Sequence, residues 1–285
     1  MRFLICSFLL LPVLCNAIEV LDFPHRILQG DLGVIRVRGI PPLKGYFAKE
    51  GIPFVKRGRL YEGIIGVDLC APAKRYRVSV GDRESNMSLL VEVKKRRLPL
   101  VSLKLPREKV EYSPRDLQRI RQEKALVRMV LERGWDSPAL WTRGFILPLE
   151  EGRITAGFGL RRLINGRYFG LHTGLDISAP KGSPVVATNS GKVVFVRSLL
   201  LEGNTVIIHH GLGLFSLYCH LERILVKEGE FVRRGERIGT VGLTGRATGP
   251  HLHWAIRFRK RRVSPQSLLR SLGDEEWRKG VSNSR

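Results

Sequence analysis

Four histidines and one aspartate set the chemistry this sequence could perform: His172, Asp176, His220, His251 and His253. In the run His251-Leu252-His253-Trp254-Ala255-Ile256-Arg257-Phe258, a β-strand would send successive side chains to opposite faces. Leu252, Trp254, Ile256 and Phe258 then share an apolar face. His251 and His253 share the other, with Cα atoms ~6.6 to 6.8 Å apart at strand rise. In His172-Thr173-Gly174-Leu175-Asp176-Ile177, read as one strand, His172 and Asp176 fall on one face with Gly174 between them. In Leu217-Tyr218-Cys219-His220, Tyr218 and His220 point one way while Leu217 and Cys219 point to the core, which makes Cys219 a poor metal ligand. Imidazole nitrogens with one carboxylate suit zinc. Three protein ligands would leave a fourth position for a water of pKa about 7, and the two remaining histidines could move protons or bind an oxyanion. His209 and His210 are neighbours, face opposite ways on a strand, and are expected to be structural. His25 stands alone and is read as an ordinary surface or packing histidine.

These residues sit among strands. From about 145 to 262, short apolar runs separated by Gly pairs and Asn165-Gly166 predict a compact all-β domain with no helix-length period. Residues 18 to about 98 alternate apolar and polar positions, as at Ile35 and Val37 or Tyr76, Val78 and Val80, and predict a small antiparallel sandwich. Between them lies a basic connector opening at Lys94-Lys95-Arg96-Arg97. Ser113 as N-cap, Pro114 at N1 and Asp116 at N3 start a helix there. Its Leu117, Ile120, Val127, Val130 and Leu131 form one stripe, and Gly134 ends it. The residues after Pro265 read as a short, partly frayed helical tail.

Other histidine chemistries fail on details. There is no His-Glu-x-x-His and no Gly-x-Ser-x-Gly, and the glycine-rich run 242–249 lacks phosphate-loop spacing. Cupin-type sites expect a glutamate shortly after His-x-His, and amidohydrolase barrels need alternating helices. Neither is present.

The segments Gly157-Phe158-Gly159, His172-Thr-Gly-Leu-Asp176-Ile-Ser-Ala-Pro180, Gly191-Lys-Val193, Tyr218-Cys-His220-Leu and Gly245-Arg-Ala-Thr-Gly-Pro-His251-Leu-His253-Trp resemble, in order and spacing, the LytM or lysostaphin-type zinc metallopeptidases, whose domain carries a duplicated hybrid motif. The resemblance implies that His172, Asp176 and His253 hold Zn2+ and that His220 and His251 are the catalytic histidines. It implies an endopeptidase that cuts peptide bonds in the cross-links or stems of peptidoglycan. The alternative is a non-enzymatic or self-inhibited regulator that binds peptidoglycan and activates a partner amidase. More loosely, residues 18 to 140 resemble the Ig-like module and helical connector of some Gram-negative members. The expected organisation is a signal peptide at 1–17, a sandwich at 18–98, a basic connector with its helix at 99–140, the peptidase domain at 141–265 and a tail at 266–285. The fold class expected is mostly β.

Charge and leader fit an envelope location. Among 285 residues, Lys and Arg number 49 against 26 Asp and Glu, a formal net charge of +23. Such an excess favours polyanionic surroundings. Met1-Arg2, the apolar run Phe3 to Leu14 and the small residues before position 18 read as a secretory signal, with cleavage after Ala17. A lipoprotein form acylated at Cys15 is disfavoured by Pro12 and Leu14. Export to the periplasm, or to the wall or medium, removes nucleic acid as a partner and leaves an anionic envelope polymer or lipid surface. No later run is long and apolar enough to make an integral membrane protein. Cys70 and Cys219 are too few for a disulfide framework.

Overall fold

The computed structural model describes residues 18–274, except the side chains of residues 168 and 169. The expected signal segment and the residues beyond 274 lie outside the described residues. The fold is mostly β, and the described residues include two α-helices, Pro114–Leu131 (α1) and Pro265–Leu272 (α2).

In the N-terminal region, a four-stranded sheet and a five-stranded sheet face each other across one apolar core. The strand Leu32–Arg38 is apolar without a break from Leu32 to Ile35 and alternates only at Arg36, Val37 and Arg38. Ile35 and Val37 point into this core with Val78, Val80 and Val91. Leu32 and Val34 point the other way, into the core of the second region. The half of the strand covered on both sides, 32–35, therefore reads as a continuous apolar run.

The C-terminal region is built on a large antiparallel sheet. In spatial order its strands are Arg153–Ala156, Leu175–Ser178, His251–Phe258, Leu214–Ile224, Gly203–His209, Gly191–Leu199 and Phe231–Val232. One face carries Leu252, Trp254, Ile256, Phe258, Tyr218 and Leu214, and forms the main core. The opposite face carries Phe195, Ile207, Phe215, Leu217 and Ala255. Helix α1 lies over part of this second face, where Val127, Val130 and Leu131 meet it. Its capping box forms as the Ser-x-x-Asp spacing requires: Ser113 Oγ accepts from Asp116 N–H, and the Asp116 carboxylate reaches back to Ser113 N–H. Leu117 does not join the stripe, and its side chain stays in solvent.

Two elements depart from expectation. The residues after Pro265 are helical as expected but docked: Leu268, Leu269 and Leu272 of α2 are buried in the main core, and Ser267 Oγ accepts from Leu32 N–H at 2.7 Å. The frayed end expected further on lies outside the described residues. Within the connector, Leu100–Leu103 forms a strand that pairs in parallel with Arg161–Ile164. Among the described residues, no helix is long and apolar enough to cross a membrane.

Candidate metal centre

The pairing of two strands brings the first two candidate donors together. Leu175–Ser178 runs antiparallel to His251–Phe258 with Asp176 directly opposite His253, so both side chains emerge on one face. Asp176 Oδ1 lies 2.6 Å from His253 Nδ1. His172 arrives by another route than the single strand expected from sequence. It follows the strand Arg167–Leu171, and the chain turns through Thr173 and Gly174 before Leu175 begins the next strand. His172 Nε2 is then 2.9 Å from Asp176 Oδ1 and 3.0 Å from His253 Nδ1. Gly174 is required by this approach: a Cβ there would come within 2.8 Å of His253 Nε2 and 2.6 Å of the Trp254 carbonyl oxygen.

One potential donor atom from each of His172, Asp176 and His253 lies within 4.8 Å of the others. Two imidazoles and a carboxylate at that spacing are a donor set suited to a divalent zinc-like ion. Their protonation fits as well. Burial works to raise the Asp176 pKa, but the hydrogen bonds from His172 and His253 outweigh it and hold the carboxyl well below its usual range. Burial pushes His253 down to about 4, so its ring is neutral at pH 7.

His220 and His251 stand beside this cluster. The His220 ring centroid lies 4.8 Å from that of His251 and 6.1 Å from that of His253. Burial first, and the neighbouring imidazoles second, depress His220 to about 3. Three rings are fixed through Nδ1 to backbone carbonyls: His172 to Gly157 at 2.7 Å, His220 to Thr244 at 2.8 Å and His251 to Gly249 at 2.8 Å. His220, neutral at pH 7, donates through Nδ1 and so keeps its lone pair on Nε2. His251 Nε2 lies 3.9 Å from Asp176 Oδ1.

Simple alternation does not place His220. Its φ is +62°, a left-handed conformation uncommon outside glycine. Three residues, 219–221, here oppose two, 204–205, because Val206 pairs with Tyr218 and Asn204 with Leu221. This bulge turns the imidazole into the cleft. Tyr218 therefore does not share the face of His220, contrary to the sequence reading. Its ring is in the main core, with the hydroxyl accepting from Thr188 N–H at 2.8 Å. Cys219, expected to face that core, sits directly opposite His253 and so shares its face of the sheet. It is buried, its thiol is pushed up to about 12 by that burial, and it is not a member of the cluster.

The cleft also contains residues not singled out from sequence. Arg162 Nη2 donates to Asp176 Oδ2 at 2.5 Å, which leaves Oδ1 to face the histidines. Arg257 donates to the Thr173 hydroxyl at 3.0 Å and carbonyl at 3.2 Å, and so pins the turn between His172 and Asp176. Arg257 is in phase with His251 and His253, so the same alternation would have found it. Arg162 could be found only from the pairing of its strand. His209 and His210 stay outside the cleft. His210 is fully buried between Ser190 O and Ser216 Oγ, and His209 stacks on Phe215.

The profile of "Peptidase family M23" matches residues 170–265, the stretch that contains all five of His172, Asp176, His220, His251 and His253. The chain is 43% identical over 113 residues to the peptidoglycan DD-endopeptidase ShyB of Vibrio cholerae, covering 39% of this chain and 26% of that protein. It is 44% identical over 123 residues to the DD-carboxypeptidase/endopeptidase Mpg of Neisseria meningitidis, covering 43% and 28% respectively. The chain thus spans little more than a quarter of the length of these relatives. A crystal structure described as a peptidase M23 from Pseudomonas aeruginosa superposes over 85% of this chain and 94% of its own, with a TM-score of 0.67 and 29% identity. The cleft, built on a sheet of this topology, belongs to a domain of peptidase family M23, the LytM and lysostaphin family, carried by this chain.

Proposed function

We propose that this chain is an exported zinc endopeptidase that hydrolyses peptide bonds in peptidoglycan cross-links or stems. The observation that carries this reading is the triad of His172, Asp176 and His253 with two further imidazoles, His220 and His251, presenting Nε2 beside it. His172, Asp176 and His253 would hold the metal. Bound there, zinc supplies an acidified water and polarises the scissile carbonyl. His251 would accept a proton at Nε2 and pass it to the leaving amine. His220, neutral at pH 7 with its Nδ1 held by the Thr244 carbonyl, would orient the attacking water by accepting a hydrogen bond at Nε2. Gly157, Thr244 and Gly249 hold these rings through their carbonyls, so little reorganisation remains to be done during turnover. The names of the relatives support a DD bond as the target, as ShyB is named a DD-endopeptidase and Mpg a DD-carboxypeptidase/endopeptidase. The net charge of +23 would hold the protein near an anionic envelope surface.

The test is direct. Zinc-loaded full-length chain is incubated with purified sacculi, and the released muropeptides are read by mass spectrometry. Loss of cross-linked dimers, abolished by a chelator and restored by zinc, is the expected result. A chain that binds stoichiometric zinc and leaves sacculi and dimers intact would overturn the reading.

A further inference from the structure

The family-matched residues do not complete the cleft by themselves. Beside the metal centre lies a cavity of about 380 Å³ lined by Asp176, His220 and His251 on its inner side. Its outer wall is formed by two strands of a three-stranded sheet, of which one comes from the connector. Leu100–Leu103 pairs in parallel with Arg161–Ile164, with Val101 opposite Arg162 and Leu103 opposite Ile164. Residues opposite each other share a face, and residues two apart share it too. Val101, Leu103 and Leu105 therefore project together, and all three line the cavity, as do Arg162 and Ile164. Ser102 and Lys104 between them are exposed, while the three apolar residues are half-buried.

This wall is fixed in place. Arg161 N–H donates to Pro99 O at 2.8 Å, and Asn165 N–H donates to Leu103 O at 3.0 Å. The Asn165 side chain both accepts from Leu105 N–H and donates to Leu105 O, each at 2.9 Å. Further along, Lys109 Nζ donates to the Gly245 carbonyl at 3.1 Å, on the loop that leads to His251. The connector thus spans from one side of the cleft to the other while a cavity stays open beneath it.

We propose that Val101, Leu103 and Leu105 form a substrate-binding wall that receives the apolar face of the peptide, its alanine methyl and neighbouring methylenes, when the scissile bond lies at the metal centre. This rests on the peptidase reading above and adds a specificity element supplied from outside the family-matched residues. The occupant follows from continuity: the cavity that these side chains line is also lined by Asp176, His220 and His251. Whatever peptide reaches the metal centre along it must lie against them. An apolar contact of this size discriminates substrates differing by a methyl by roughly ten-fold or more.

The experiment uses full-length chain and two defined cross-linked peptides, one carrying alanine on the acyl side of the scissile bond and one carrying glycine there. Leu103→Asn and Val101→Asn are compared with wild type and with Leu103→Met, after zinc content and thermal midpoint are matched. The wall predicts about a ten-fold fall in kcat/KM on the alanine peptide, carried by KM. It predicts little change on the glycine peptide and recovery in Leu103→Met. Peptide binding is measured in parallel by calorimetry, with about ten-fold weaker binding of the alanine peptide by the Asn variants. Equal losses on both peptides, or unchanged binding, would overturn the wall. A rise in kcat/KM would overturn it too, because the strand would then be an obstruction. If the wild type binds the alanine peptide selectively and cuts neither, the wall stands and the hydrolase reading fails.

Discussion

Two pairs of histidines on one sheet have opposite fates. His251 and His253 are two residues apart and emerge together, opposite a carboxylate on the neighbouring strand. His209 and His210 are adjacent and diverge. One stacks on Phe215, and the other enters the main core between Ser190 and Ser216. Both pairs contain rings made neutral by burial, since His253, His209 and His210 all titrate near about 4. Neutrality alone therefore does not make a ligand. What separates the pairs is a shared face with Asp176 in reach of it, which the adjacent pair lacks.

The largest effect should come from removing that carboxylate. Asp176→Ala should lose bound metal, measured by atomic emission on purified protein, and its turnover of cross-linked muropeptides should fall to background. His251→Ala sharpens the comparison within the first pair. It should retain zinc, yet lose about 10²- to 10⁴-fold in kcat, the usual range for a proton-transfer group.

The second pair should reveal itself in stability instead. His210 is held down to about 4 by burial, whereas an unfolded histidine titrates near 6.5. The folded state thus binds fewer protons over this range. The stability from its neutral ring is fully present above pH 6.5 and drains away as pH falls towards 4. The loss amounts to about 3 kcal/mol at the acid end. Urea melts of His210→Gln should show a flatter decline between pH 6.5 and 4 than those of wild type, with zinc content at pH 7 unchanged. An unaltered slope would place the acid sensitivity elsewhere. The smallest effect is expected at Arg162. Arg162→Gln should weaken zinc binding about ten-fold in a competition titration, because Asp176 loses the partner that orients it.

Much of the centre was legible from residue spacing. The strand 251–258 alternates as its sequence demands, and His251 and His253 reach the cleft by that rule. Period two could not show that Asp176 faces His253, because register between distant strands leaves no local trace. It misplaced Tyr218 and Cys219 because one left-handed residue shifts the phase of every position before it relative to those after it. It also treated His172 and Asp176 as parts of one strand, where the chain turns at Gly174. The burial of α2 was hidden for a related reason. Its apolar residues answer a strand 235 positions earlier, and an eight-residue amphipathic stretch looks the same whether it is loose or docked. The capping box of α1, a wholly local feature, was read without loss.

Helix α2 works as a shared keystone. Its leucines complete the interior of the histidine-bearing region, while Ser267 and Arg270 reach across to Leu32 and Asp31 of the N-terminal region. Cutting the chain between the two halves would therefore strip a greasy flank bare on the fragment that carries the histidines. A minimal fragment made for production should be sticky in solution unless that flank is repainted with polar side chains.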